Sequence, residues 1–364
     1  MPKITVDWNP LYNSVREPFV AAGAPRNDAV ICADVLLESD KRGIESHGVN
    51  RFKPIYIDRI LDGIQKPVTE FEILRETPRT AVVDGQEGMG QVVGYKSMSM
   101  AIEKAKKYGM GMVAARNSCH YGIAGYYATM ATKANMVGIT GTNARPSIAP
   151  TFGVENMPGT NPLTVGMPTD EDFPFVIDCA TSITQRGKLE YYARIGKSTP
   201  EGMVIGRDGR ALTNTEEILV QLNTGEAALA PLGGIGEELA GYKGYGYATV
   251  VEILSAALQQ GNYLRMLTGM KDGKKVPYHL GQFFIAIDTE AFMGADAFKK
   301  TAGDILRELR GSQKAPGEER IYTAGEKEWD VWQSRKDSGV PINEAVQKEF
   351  SAVRDRFKLA YTFP

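Results

Sequence analysis

Residues 110–142 read MGMVAARNSCHYGIAGYYATMATKANMVGITGT. The first seven form a buried-strand pattern, 122–134 has helical spacing, and MVGITGT (136–142) is a second strand pattern; together they are β–α–β grammar. Working outward, 70–84 reads as two strands around a Thr77-Pro78 turn, and further strands are predicted at 163–167, 174–179 and 282–288. Helices are predicted at 27–42, 51–62, 94–108, 184–195, 245–260, 296–310 and 343–357. Gly43 ends the first, the turn Glu45-Ser46-His47-Gly48 follows, and Phe52, Ile55, Tyr56 and Ile60 make one apolar face of the second. The Gly- and Thr-rich stretch 205–240 reads as irregular. Helix-rich ends and a mixed middle predict an α/β (α+β) class. A helical unit is expected from 1–75 with 300–364, around a mixed α/β unit at 76–299.

At ~150 residues per domain, 364 residues suggest roughly two domains. With 42 basic and 44 acidic residues the net charge is −2, and 43% of residues are hydrophobic, so the chain can bury a core and is not disordered. It has no basic field to attract nucleic acid or an anionic membrane. The three cysteines (Cys32, Cys119, Cys179) are odd in number and far apart, which argues against a disulfide framework and for a reducing compartment. The first fifteen residues carry no apolar leader, and no apolar run approaches the ~18 residues of a membrane span. A soluble, cytoplasmic protein is expected.

A dinucleotide enzyme is usually sought through G-x-G-x-x-G after a strand. Here Gly88-Met89-Gly90 meets Val93 at the third position, Gly234-Ile235-Gly236 meets Leu239, and Gly244-Tyr245-Gly246 meets Thr249. A Rossmann domain is therefore disfavoured. The sequence has no H-x-x-x-H or C-x-x-C, so no metal site is expected.

Only three histidines occur. His47 lies in a glycine-flanked turn, with Arg51 four residues on, whose planar fork could hold a carboxylate by two hydrogen bonds. An ordinary turn histidine beside a solvated arginine is the alternative. His120 sits in a strand-to-helix loop, the kind of place where ligands bind beyond strand ends. His279 has no partner nearby in sequence and reads as structural. Cys119 adjoins His120 but lacks a second activating group, so it is a poor nucleophile candidate.

Three polar loops fall at strand ends: Thr140-Gly141-Thr142-Asn143, Gly159-Thr160-Asn161-Pro162 and Asp178-Cys179-Ala180-Thr181-Ser182. Such residues can approach a phosphate or a polar ring, and Asp178 could orient a ribose or a carboxamide; ordinary turns use the same residue types. Lys243, in Gly241-Tyr242-Lys243-Gly244-Tyr245-Gly246 before an apolar helix, is a candidate phosphate contact. Gly325-Glu326-Lys327-Glu328 taken alone reads as a solvated helix start.

In these segments the chain resembles the malate/L-lactate dehydrogenase family that is unrelated to Rossmann enzymes and includes ureidoglycolate dehydrogenase, diketogulonate reductase, sulfolactate dehydrogenase and a cyclic imine reductase. The matching stretches are Arg42 to Arg51, Arg116 to Gly122, Gly159 to Pro162, Asp178 to Ser182 and Gly241 to Gly246, in the same order. The resemblance implies a mostly antiparallel sheet of seven strands, a homodimer, and interconversion of 2-hydroxy and 2-oxo acids with NAD or NADP. Malate is the favoured substrate, with L-lactate, ureidoglycolate, sulfolactate or a cyclic imine as alternatives. It implies that His47, with Ser46 beside it, is the acid/base and that Arg51 clamps the substrate carboxylate. His120 would sit beside nicotinamide and substrate. Cofactor contacts would come from His120, Thr160, Asn161, Val176, Ile177, Asp178, Cys179, Ala180, Ser182, Tyr242, Lys243, Gly325, Glu326 and Lys327. Arg186, Lys188 and Arg194 are candidates for a ribose 2′-phosphate. An ordinary histidine would give the oxidation rate a pH dependence near ~6.5.

Overall fold

Seven strands build the central sheet of the computed structural model, which describes residues 4–361. They are β1 (Glu72–Glu76), β2 (Thr80–Asp84), β3 (Met110–Ser118), β4 (Met136–Thr142), β5 (Leu163–Met167), β6 (Phe175–Cys179) and β7 (Leu280–Asp288). Their order across the sheet is β1-β2-β3-β7-β4-β5-β6. The β2–β3 pairing is parallel and the others are antiparallel, so the sheet is mixed. β3 and β4 run in the same direction but do not pair, because β7 inserts between them, antiparallel to both. The run LGQFFIAID suits that central place: Phe283, Phe284 and Ala286 are fully buried, which takes apolar side chains on both faces.

One face carries helices Gly90–Tyr108 and Gly125–Thr132. Helix Gly241–Ala256 rides on the other face, where it needs a residue without a side chain: a Cβ on Gly281 would lie 1.6 Å from the Ser255 carbonyl oxygen. A separate core joins the two chain ends. Leu11, Val15, Phe19, Leu36 and Phe52 pack with Val340, Phe350 and Val353, and Phe52 stacks on Phe350 at 5.0 Å. Strand Ile4–Val6 pairs with Val340–Ile342 and fastens the same ends.

Three local departures from the sequence reading have physical causes. Helix Trp8–Ala21 went unpredicted because it contains Pro10 and Pro18; Pro10 falls in the first turn, where a missing N–H costs little. The expected helix at 51–62 is a 3-10 turn at Val49–Arg51, a π-helix at Phe52–Ile57 and one α turn at Asp58–Leu61. Pro54 removes an amide donor in that stretch, and the backbone takes the wider turn. The stretch 205–240 is not irregular throughout. It holds helix Thr215–Thr224, capped by the Asn214 side chain on the Glu217 amide, and strand Ala227–Leu229, paired with Val204–Gly206. Among the described residues, no helix is long and apolar enough to cross a membrane, and no group of three His, Cys, Asp or Glu could hold a metal.

Candidate active site

The turn after helix Arg26–Lys41 and the loop after β3 meet in one cleft of about 300 Å³. Ser46, His47 and Arg51 come from the first, His120 and Gly122 from the second, Thr160 from just before β5, Asp178 from β6, and Ala180 and Arg186 from beyond it. The imidazoles of His47 and His120 lie 5.8 Å apart with 17° between their planes. A larger apolar groove of about 810 Å³ lies at the opposite end of the sheet, between Val137, Met167 and Ile287 and helix Ala295–Gly311, and has no titratable group in its walls. The smaller cleft is the one that brings both imidazoles together.

Each histidine is held through one nitrogen. The Ser46 hydroxyl lies 2.9 Å from His47 Nδ1. The Gly122 amide donates to His120 Nδ1 at 3.3 Å, and the Tyr56 hydroxyl lies 2.7 Å from the same atom. An amide N–H only donates, so Nδ1 of His120 is an acceptor, the neutral ring carries its proton on Nε2, and Tyr56 is the donor. Tyr56 is fully buried and packs edge-on against Phe19. On sequence it was one more apolar-face residue; the signal available was a hydroxyl on that face, which needs a partner once buried.

Burial and the Arg51 guanidinium push His47 down to about 4. Burial, then His47, Arg59 and Arg51, hold His120 well below the usual histidine range. The His47 imidazole is thus unprotonated at neutral pH, which corrects the expectation of an ordinary titration near ~6.5. Arg51 donates from Nε to the Ser46 carbonyl at 2.7 Å and has no carboxylate partner among the described residues. Its fork remains available to an anionic substrate.

Asp178 accepts from the Gly125 amide at 2.7 Å and from the Thr164 hydroxyl at 2.9 Å, so it caps helix Gly125–Thr132 while walling the cleft. Burial raises its pKa against those two hydrogen bonds. Burial pushes Cys119 up to about 12, which removes it as a nucleophile. His279 lies away from the cleft wall, its Nδ1 3.1 Å from a Glu87 carboxylate oxygen but without a hydrogen bond to it.

The remaining anticipated cofactor residues divide. Thr160 and Ala180 line the cleft. Asn161 does not: it is fully buried, donates to Ala248 and Glu252, and accepts from the Ala144 amide. Ser182 is buried beside Pro231. Val176, Ile177 and Cys179 lie along the edge strand β6, and the Val176 amide donates to Ala324. Gly325 packs there with no room for a side chain, its Cβ position lying 2.9 Å from the Pro174 oxygen. Glu326 is not the solvated start of a helix. It is buried and takes hydrogen bonds from Arg320 and from the amide and hydroxyl of Thr323. Lys327 sits over the Tyr322 ring at 4.7 Å. Tyr242 and Lys243 are exposed at the start of helix Gly241–Ala256 and are not in the cleft wall. Gly244 there packs on the Leu232 backbone, and the Leu232 amide donates to Thr181, next to Ala180.

The cleft fits the flat nicotinamide end of a dinucleotide. Ile123, Ala124, Pro162 and Ala180 offer an apolar wall to a flat ring. At the start of helix Arg186–Arg194, Gly187 leaves open space where backbone amides can meet a phosphate.

Residues 6–351 match the family described as malate/L-lactate dehydrogenase. Malate dehydrogenase of Pyrococcus horikoshii is 44% identical over 97% of this chain and 95% of its own. L-sulfolactate dehydrogenase of Methanocaldococcus jannaschii is 39% identical over 91% of each chain. The crystal structure of malate dehydrogenase from Entamoeba histolytica superposes with a TM-score of 0.95 over 100% of both chains at 41% identity. With a family match over nearly its whole length and a relative 44% identical over 97% of it, the chain belongs to the malate/L-lactate dehydrogenase family.

Proposed function

We propose that the chain oxidises malate to oxaloacetate, and reduces it back, with NAD or NADP, and that His47 is the acid/base and Arg51 the carboxylate clamp. The observation that carries this is the meeting of an uncharged His47 and an unpaired Arg51 in one cleft beside His120. The nicotinamide supplies the two-electron carrier that accepts or returns hydride at the substrate's C2. Arg51 binds the C1 carboxylate and fixes the hydroxyl-bearing carbon. His47 removes the hydroxyl proton as the hydride departs, and returns it in the reverse direction. An anionic substrate also cancels the Arg51 charge that lowers His47, so binding raises the base toward the strength its task needs. The Nε2–H of His120 is available to the substrate oxygen.

Arg186 borders the cleft, where a substrate's second anionic group would have to draw its guanidinium away from Glu190 and Asn223. Malate and sulfolactate carry a second anionic group, and lactate does not, which favours the first two. A panel of oxaloacetate, sulfopyruvate, pyruvate and a cyclic imine acid, run with NADH and NADPH in turn, tests this reading. Oxaloacetate should exceed pyruvate by about tenfold or more in kcat/KM, the value of one charged hydrogen bond. Equal rates would overturn the assignment.

A homodimer is part of the same reading. Helix Gly241–Ala256 is apolar on its outer side as well as its inner one: Tyr247, Val250 and Ile253 are exposed, and Leu258 just beyond it is exposed too. A helix apolar all round belongs in an interior, which a second copy supplies. Sedimentation at micromolar concentration should give twice the monomer mass, and a monomer would remove this part.

A further inference from the structure

Asp40 lies under the turn that carries His47, and the chemistry above makes no use of it. It is 1% exposed. One oxygen, Oδ2, accepts from the Val49 amide at 2.9 Å, and the other, Oδ1, has no partner among the described residues. A Cβ on Gly48 would lie 2.2 Å from Oδ1 and 2.3 Å from Cγ, so the carboxyl group lies flat against the Gly48 backbone. Gly48 and Val49 directly follow His47, and the amide of Arg51 bonds back to the Gly48 carbonyl. The two charged groups facing Asp40 are Glu45 on the turn and Arg335 at the end of helix Glu326–Arg335. Arg335 donates to the Asp40 carbonyl and to the Glu45 carboxylate, and so ties the turn to the C-terminal segment.

We propose that Asp40 is a positioning residue for the acid–base turn: its buried carboxyl, seated against Gly48 and holding the Val49 amide, sets where the His47 ring and the Arg51 fork stand in the cleft. The proposal rests on the reading of His47 as the acid/base. Burial, with Glu45 adding to it, raises the carboxyl to about 8 against the Val49 amide and Arg335. In the neutral range it is therefore an uncharged group that fits a dry pocket. Ionisation above that range would leave a charge on Oδ1 with nothing to meet it, and the turn would shift.

The test is a pH profile of malate oxidation at saturating substrate and cofactor for Asp40→Asn, Asp40→Ala, Gly48→Ala and the Gly48→Ala/Asp40→Ala pair, with cofactor affinity followed by fluorescence titration. Asp40→Asn keeps an acceptor for Val49 and has no proton to lose. It should turn over near the wild-type rate at pH 7 and lack the wild-type fall above about 8. Asp40→Ala should lose roughly 10²-fold in kcat, the cost of a displaced acid–base group, with cofactor affinity unchanged. Gly48→Ala should be damaging alone and nearly silent in the Asp40→Ala background, because the added methyl then has room. An alkaline limb retained in Asp40→Asn, or an unchanged kcat in Asp40→Ala, overturns the proposal. If Asp40→Ala does not fold, the Asn variant decides. His47→Ala is measured alongside: full turnover there rejects the acid/base reading, whereas loss there with an unaffected Asp40→Ala rejects the positioning role alone.

Discussion

His47 and His120 face each other across the cleft as nearly parallel rings, 5.8 Å between centroids and 17° between planes. Neither can take up a proton easily, because each is half-buried and poorly solvated, and a charge on His47 raises the cost of one on His120. The pair is thus a neutral base beside a neutral donor, with Arg51 as the fixed positive charge. His47→Ala should lower kcat by on the order of 10²–10⁴ while the cofactor still binds. Stopped-flow hydride transfer and fluorescence titration together check this.

The pH dependence follows from the same geometry. His47 is lowered to about 4, so it is ready to accept a proton throughout the neutral range. kcat/KM for malate oxidation reports the free enzyme, and on its acid side it should be level around 6.5 and fall as pH drops toward about 4. An inflection near 6.5 that disappears in His47→Gln would show an ordinary, hydrated histidine instead.

Arg51→Lys keeps the charge and loses the fork. The guanidinium is already oriented by its Nε bond to the Ser46 carbonyl, so an ammonium cannot present two parallel donors from the same place. KM for malate should rise by about tenfold to a hundredfold, the worth of a charge-assisted hydrogen bond, with a smaller change in kcat. Steady-state kinetics with saturating cofactor distinguishes this from a loss of chemistry.

What the chain states openly is the position of its short polar loops. The Ser46-His47-Gly48 turn and the loop carrying His120 could be located directly, because each follows a well-patterned element, and the structure brings them into one cleft. Less legible was anything that depends on a distant partner. β7 is separated by more than a hundred residues from the two strands it parts, and an apolar run does not say which neighbours it will take. Asn161 reads like a ligand residue, yet its amide is consumed by Ala248 and Glu252 on a helix that folds over it. Tyr56 reads like core, yet its hydroxyl reaches His120, 64 residues away. In both cases burial decided the role, and burial is a tertiary property.

Tyr56→Phe tests that reach. The substitution keeps the packing against Phe19 and removes the donor to His120 Nδ1, leaving the longer Gly122 contact alone. Stability should drop by about 1 kcal/mol, the net value of one neutral hydrogen bond. kcat should fall by about tenfold, because the ring is then free to turn. Urea unfolding and turnover at pH 7 measure both. Unchanged turnover with the same loss of stability would make Tyr56 a packing residue only.

Asp40 gives a stability prediction that needs no substrate. Its folded-state pKa is raised from 3.8 to about 8 by burial, so between those values the native protein holds a proton that the unfolded chain has released. Stability must then fall as pH rises through that window, because the state binding more protons is disfavoured as protons become scarce. Asp40→Asn removes the ionisation and keeps the acceptor for Val49. Other titrating groups are common to both proteins, so the difference between their urea midpoints isolates this one carboxyl. The variant should gain on the wild type steadily from pH 5 to pH 8 and hold a constant lead above that. Parallel midpoint curves across the range would mean that the carboxyl is ionised in the folded protein, and that the cavity under Gly48 is wetter than its burial indicates.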